Sequence, residues 1–306
     1  MDLSNWMGIF NDRINNKSIN HVIFPGTHDS ATYVIDYDNS FIWNGDIINK
    51  LRKVKCLPCV KNLAINWSKC HDHSIYEQLE QGIRLFDFRV SYNEGKFYNT
   101  HTLTCVNFDE ILKDIIKFID SHEKEILIIT CKADWENRYS MEYIGNIFAD
   151  YISNKLGYIL FKNSGILPTI HEMIDANKRI IFAYKDYTND FIWDTGLFNM
   201  PWTNTSDVNV KLKGLEESLN GFSGDMFNAL DFNLTPQIKD IVKSVFSCGC
   251  CGFNCLKHLN EGIQDKFMSF MDDNMHNTKF LSGIFLDYPT SDIIHYIINL
   301  NLLNSV

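Results

Sequence analysis

Short apolar runs along the chain alternate with stretches whose apolar residues recur every three to four positions. The first pattern reads as strands and the second as amphipathic helices. The strand readings are His21 to Phe24, Ile83 to Val90, Ile126 to Cys131, Arg179 to Tyr184, Ala229 to Phe232 and Gly283 to Asp287, with a shorter one from Lys96 to Thr100. Between them, Phe108 to Ile119 gathers Ile111, Leu112, Ile115, Ile116 and Ile119 on one helical face, and Pro236 marks the first turn of a helix through Val245. Such alternation predicts βα units and a mostly parallel sheet, and six or more of them in one undivided chain favour a barrel over an open sheet. No Pro-rich or Gly/Ser-rich tract, like-charge block or internal repeat offers a boundary, so residues 1–306 are expected to form one α/β barrel domain.

Composition narrows the function. A length of 306 residues, 45% of them hydrophobic, allows a large core, and a formal net charge of −10 removes the basic face that nucleic-acid binding needs. Apolar runs such as Ile126 to Ile129 fall far short of the roughly 20 residues that span a bilayer. The opening Met1 to Phe10 has acidic Asp2 and no cationic stretch before an apolar one, so it does not read as a secretory signal. The expectation is a cytoplasmic, thiol-reducing setting, in which the Asn-x-Ser/Thr sequences at Asn16, Asn66, Asn204 and Asn233 are ordinary polar positions.

In a barrel, chemistry collects at the C-terminal ends of the strands, and this tests candidate residues. Phe24-Pro25-Gly26-Thr27-His28-Asp29-Ser30 puts a His and an Asp in a turn opened by Pro and Gly. Gly82 to Arg89 sets Asp87 and Arg89 two apart, so both face one side of a strand while Phe86 and Phe88 face the other. The short strand from Lys96 ends at His101, beside Thr102 and Thr104. Ile284-Phe285-Leu286-Asp287-Tyr288 ends an apolar strand in a carboxylate, which is costly to bury without a partner. Taken singly, each has a plain structural explanation: an Asx turn at Asp29, an ion pair at Arg89, a helix N-cap at Asp287. The set of two His, two or three Asp and one Arg at strand ends favours a functional site.

These residues also carry a resemblance. Phe24 to Tyr33, then Ser74 to Gly82 running into Asp87-Phe88-Arg89, then His101 and the strand from Ile126 to Lys132 resemble the X domain of phosphatidylinositol-specific phospholipase C. Asn5-Trp6-Met7, Pro201 to Thr205 and Leu234-Thr235-Pro236 are similar to its X-domain-only subgroup, and the likeness runs from about residue 5 to about residue 300. The resemblance implies an irregular TIM barrel that cleaves phosphatidylinositol, or a glycosylated form of it, to diacylglycerol and an inositol 1,2-cyclic phosphate. His28 would be the general base toward the inositol 2-hydroxyl, oriented by Asp287. His101 would be the general acid toward the departing glycerol oxygen, with Asp29 as its carboxylate partner. Arg89 would hold the phosphate oxygens. Metal-dependent members bind Ca²⁺ with carboxylates at the positions of Arg89 and Lys132, so cations there, with only Asp29 and Asp87 nearby, imply a metal-independent enzyme without cofactor. Lys132, Lys185 and Asp87 would then contact the substrate, and Trp202 or Tyr288 would floor the inositol ring.

Several features stand outside that scheme. Cys56, Cys59, Cys70, His71 and His73 form a zinc-like ring, and Cys248, Cys250, Cys251 and Cys255 a denser one, yet neither has paired CxxC spacing, so reduced loop thiols are the expectation. Phe41-Ile42-Trp43 is the candidate apolar wedge for transient peripheral membrane contact. The surplus acid is expected to be spread over the surface, with Arg89, Lys132 and Lys185 concentrating positive potential in one cavity. The chain is expected to act as a monomer on an inositol phospholipid. The competing class is a catalytically weak X-domain protein that binds inositol lipids or a protein, and a glycerophosphodiester or sphingomyelin phosphodiesterase is disfavoured because no His-Arg-Gly start is present.

Overall fold

The computed structural model describes residues 2–43, 52–56, 58–134, 141–185, 187–246 and 255–303. Eight parallel strands run in chain order around a nearly closed barrel: β1 (Phe24–Thr27), β2 (Leu85–Asn93), β5 (Leu127–Ala133), β6 (Ile180–Tyr184), β7 (Ile192–Asp194), β8 (Phe198–Asn199), β9 (Phe227–Asp231) and β10 (Gly283–Leu286). Between β2 and β5, an antiparallel excursion of β3 (Lys96–His101) and β4 (Leu103–Asn107) pairs onto β2. The fold is the irregular TIM-type α/β barrel expected. Its seam lies between β7 and β8, which are not paired. Only Thr195–Leu197 separates them, and three residues cannot return along a strand to begin a parallel neighbour, so β8 runs on ahead of β7.

Helices cover the outside because the strands alternate their faces. Phe86 and Phe88 of β2 point outward, stack at 5.8 Å between ring centroids, and Phe88 meets Phe108 edge-on. Phe108 opens the helix Phe108–Ser121, which buries Ile111, Leu112, Ile115, Phe118 and Ile119 against the sheet and is capped by Asn107. On the inner face, period two stacks Gly26 with His28, Leu85 with Asp87 and Arg89, and Gly283 with Phe285 and Asp287. Leu85 closes the floor: a Cβ at Gly283 would lie 2.5 Å from its Cδ2, and one at Gly26 would meet it at 3.0 Å. Glycine on the two strands flanking that space lets a leucine plug the barrel beneath a polar layer.

Two sequence expectations are corrected. The first strand is Phe24–Thr27, not His21 to Phe24, because Ile19–His21 forms a 3₁₀ turn whose Ser18 and Ile19 bond to Thr169 and Pro168. Pro236 precedes its helix: Ile238–Phe246 starts two residues later, with Gln237 N–H donating to Asp240. The sequence does not predict β4, β7 or β8: β7 and β8 are only three and two residues long, and β4 follows β3 after the single residue Thr102.

The N-terminal end of the barrel is locked by one buried ion pair. Arg84 Nε donates to Glu125 Oε2 at 2.8 Å, and neither side chain is exposed. The guanidinium also donates to the carbonyls of Leu79, Ile83 and Ser4, while Glu125 Oε1 accepts from Gly8 N–H, so the pair ties the N-terminal helix to two strands. Removing one partner leaves the other charge buried and unpaired. Arg84→Ala is therefore expected to lower the unfolding free energy by about 3–5 kcal/mol in urea titration, and a loss below about 1 kcal/mol would contradict this account.

Candidate active site

The ends of β1, β2, β3, β5 and β10 converge on one cavity of about 750 Å³ lined by His28, Asp29, Asp87, Arg89, His101, Lys132, Lys185, Trp202 and Asp287. Apart from Tyr288, every residue that the sequence singled out for catalysis or substrate contact thus faces the same space. Phe86 and Phe88 anchor β2 from outside, and this aims Asp87 and Arg89 inward.

Asp29 is the centre of the site. Its carboxylate is fully buried; Oδ1 lies 2.9 Å from Arg89 Nε, and Oδ2 lies 3.2 Å from both His28 Nε2 and His101 Nε2. These are close charge contacts, not aligned hydrogen bonds. Burial alone would raise the Asp29 pKa, but Arg89, His101 and His28 hold it well below the usual carboxylate range. Arg89 also reaches Asp87 Oδ2 at 3.3 Å.

Each imidazole has one nitrogen held on a fixed partner and the other turned to the cavity. His28 Nδ1 donates to Asp287 Oδ1 at 3.0 Å, and His101 Nδ1 donates to the Ser68 carbonyl at 2.8 Å. Both Nε2 atoms face the cavity centre, with ring centroids 6.4 Å apart. His28 Nε2 also lies 3.1 Å from Arg89 Nη2 in a well-aligned contact. A guanidinium only donates and a carboxylate only accepts, so Nε2 faces Arg89 when neutral and Asp29 when protonated. The geometry suits the neutral ring, whereas the charge favours the protonated one. Burial lowers the His28 pKa, but Asp29, Asp287 and Asp231 outweigh it and push it up to about 10.

A second set of residues, to which the sequence assigned no such role, holds this constellation. Asn260 Nδ2 donates to Asp287 Oδ2 at 3.1 Å, and the Asp287 N–H donates to Asn233. His71 Nε2 donates to the His28 carbonyl at 2.6 Å, and burial holds its own pKa down. Thr27 Oγ1 donates to Gln78 Oε1, whose Nε2 donates to the Ser30 carbonyl. Asp231, paired with buried Lys211 at 2.7 Å, also lines the cavity. Asp231 ends a strand as Asp287 does, so the rule that found Asp287 could have found it. Asn260 and Gln78 are polar positions among several others in short helices and carry no such signal. Backbone strain marks the same places: Asp29 (φ 45°), Thr102 after His101 (φ 59°) and Tyr288 after Asp287 (φ 46°) are left-handed non-glycine residues.

The structure also alters some expectations. Tyr288 does not floor the cavity; its hydroxyl donates to the Lys69 carbonyl and its ring packs beside His71. Trp202 stands at the mouth, 59% exposed, with Nε1 on Thr235 Oγ1. Ile42 and Trp43 are only 1% and 2% exposed, so the proposed wedge is a packed anchor. The first zinc-like ring is dispersed: Cys56 and Cys59 are exposed, while Cys70 and His71 are buried at the site. Cys248, Cys250 and Cys251 lie outside the described residues. Cavity charge is more balanced than expected, since Arg89, Lys132 and Lys185 face Asp29, Asp87, Asp231 and Asp287. Positive potential there depends on protonated imidazoles.

A family model, "Phosphatidylinositol-specific phospholipase C, X domain", matches residues 62–185. The human PI-PLC X domain-containing protein 2 is 27% identical over 257 residues, 79% of this chain and 81% of that protein. The human PI-PLC X domain-containing protein 3 is 24% identical over 261 residues, 81% of this chain and 79% of that protein. Phosphatidylinositol-specific phospholipase C from Listeria monocytogenes shares the fold with a TM-score of 0.65 at 17% identity, covering 98% of this chain and 99% of that one. A Staphylococcus aureus phosphatidylinositol-specific phospholipase C structure gives a TM-score of 0.69 at 17% identity, with 98% of each chain covered.

The electrostatics lead to a direct test. His28 is expected to titrate near pH 10 in histidine NMR spectra, and Asp29→Asn to move it down toward its ordinary 6.5. Because the folded-state value is raised, its stabilisation is complete below about pH 6.5 and is lost as pH rises toward 10. A wild-type midpoint near 6.5 would rule out this charge arrangement.

Proposed function

The chain belongs to the X-domain family of phosphatidylinositol-specific phospholipase C, and from that premise we propose that it is a phosphodiesterase cleaving phosphatidylinositol or a glycosylated form of it. One observation carries the reading. Two imidazoles, each with Nδ1 committed and Nε2 turned inward, share a buried carboxylate with an arginine in one cavity. A module that only bound lipid would use the cations but would not need two oriented proton-transfer groups.

In the proposed step, His28 Nε2 takes the proton from the inositol 2-hydroxyl as its oxygen bonds to phosphorus. Asp287 stabilises the imidazolium that forms. The bond from phosphorus to the glycerol oxygen breaks, and that oxygen takes a proton from His101 Nε2, releasing diacylglycerol and an inositol 1,2-cyclic phosphate. Arg89 turns its fork toward the non-bridging phosphate oxygens, where charge grows. Lys132 and Lys185, exposed on adjacent strand ends, reach phosphate or ring hydroxyls from the rim.

The residues present do not suit calcium. That ion needs six to eight oxygen ligands, and here Asp29 and Asp87 already flank the Arg89 guanidinium at 2.9 and 3.3 Å. We therefore read the reaction as metal-independent, with Arg89 supplying the positive charge. Membrane contact falls to a different surface from the one the sequence suggested. Trp202, Ile238 and Val242 are exposed beside the cavity mouth, the last two one helical turn apart. A monomer touching a cytoplasmic membrane face transiently through this rim reconciles an anionic lipid substrate with a net charge of −10.

In excess chelator, purified protein should form the cyclic phosphate from phosphatidylinositol, and His28→Ala or His101→Ala should each lower kcat by about 10²–10⁴. Calcium dependence, or undiminished turnover in either variant, would defeat the mechanism. The rising limb of kcat/KM against pH should lie well above 6.5, and Asp287→Asn should bring it down by removing a carboxylate that favours imidazolium.

A further inference from the structure

The cavity is chemically two-sided. Its charged groups sit at the ends of β1, β2, β3, β5, β6, β9 and β10, but it extends over Trp67, Leu234, Pro236, Ile238, Ile241 and Leu256, which present hydrocarbon or an indole face, the one hydroxyl among them, on Thr235, being taken by Trp202 Nε1. A polyhydroxylated ring phosphate has no use for such a wall. Trp67, Cys70, Leu234 and Leu256 belong to one buried cluster with Ile241 packed against it, so the wall is part of the folded core and not a chance exposure. The Trp67 Nε1–H donates to Ser244 Oγ, which removes its one polar atom from the cavity.

The position of this wall says what it receives. His101, the proposed acid, is held by the segment that carries Trp67 and lines the same cavity: Nδ1 donates to the carbonyl of Ser68, the residue after Trp67, and Cys70 Sγ lies 3.6 Å from the same nitrogen. Thr102, next to His101, bonds to Ser68 Oγ. The general acid protonates the leaving oxygen, so the carbons attached to that oxygen start at His101 and meet this wall first. We propose that the Trp67–Leu234–Ile241–Leu256 wall is a hydrocarbon subsite for the alcohol side of the phosphodiester, accepting the first several carbons of a lipid leaving group. The proposal rests on the phosphodiesterase reading, because that reading assigns His101 to the leaving side. It makes the enzyme selective for lipid over small polar leaving groups within the cavity itself, apart from any gain at a membrane surface.

The test is equilibrium binding of monomeric inositol 1-alkylphosphonates with methyl, butyl and hexyl chains to the full chain, by calorimetry below their aggregation limits. The dissociation constant should fall roughly fourfold per methylene, the factor that burying one CH₂ corresponds to at 25 °C, with a heat-capacity change that grows more negative with chain length. Ile241→Ser should flatten the dependence on chain length and Ile241→Met should keep it. Affinity independent of chain length, or no binding by any member, would overturn the subsite. Turnover of the matching alkyl phosphodiesters separates the two ideas. Cleavage at equal rates for all chain lengths preserves the phosphodiesterase and refutes the subsite, whereas chain-dependent binding without cleavage preserves the subsite and refutes the enzyme.

Discussion

A single buried carboxylate organises this protein. Asp29 has lost its water, and a bare carboxylate inside a barrel is tolerated only when positive groups surround it. Arg89, His28 and His101 converge on it from the ends of three strands. The same contacts that make its burial affordable bring a guanidinium and two imidazoles into one small space. Asp29 thus links stability and chemistry, and its left-handed backbone shows that the turn bends to keep it there.

The barrel supplies what that cluster cannot. Phe86 and Phe88 secure β2 from the helix side, so that Asp87 and Arg89 are fixed inward by the pleat. Leu85 between Gly26 and Gly283 seals the floor, and the Arg84–Glu125 pair holds the opposite end of the barrel shut. Chemistry is left at the open C-terminal end. Asn260, Gln78 and His71 then fix orientation by bonding to Asp287, to the Ser30 carbonyl and to the His28 carbonyl. A proton-transfer nitrogen serves only if its partner nitrogen is held, and each imidazole is held from behind.

The two-sided cavity gives this arrangement a direction. His28, Asp287, Asp231 and the cations occupy the polar side, and His101 lines the same cavity, bonded through Nδ1 to the Ser68 carbonyl beside Trp67. On the proposed reading, a phosphodiester with one polar and one apolar substituent would fit such a gradient in one orientation only.

Local pattern was enough for the βα alternation, for the inward pair Asp87 and Arg89, and for the strand-end His and Asp residues, because period-two faces and turn residues are written into neighbouring positions. The resemblance carried the pairing of His28 with Asp287 and of His101 with Asp29, and the structure places both pairs within 3.2 Å. What the chain alone could not express was distance across it. Nothing near Asn260 marks it as the support of Asp287, nothing near Ser68 announces a bond to His101, and Ile42 and Trp43 look exposed until a fold buries them. Those relations depend on which elements the closed sheet brings side by side. Chemistry that needs one strand end was therefore decided by sequence, and chemistry that needs several, above all the sharing of Asp29 by a guanidinium and two imidazoles, was decided only by the tertiary structure.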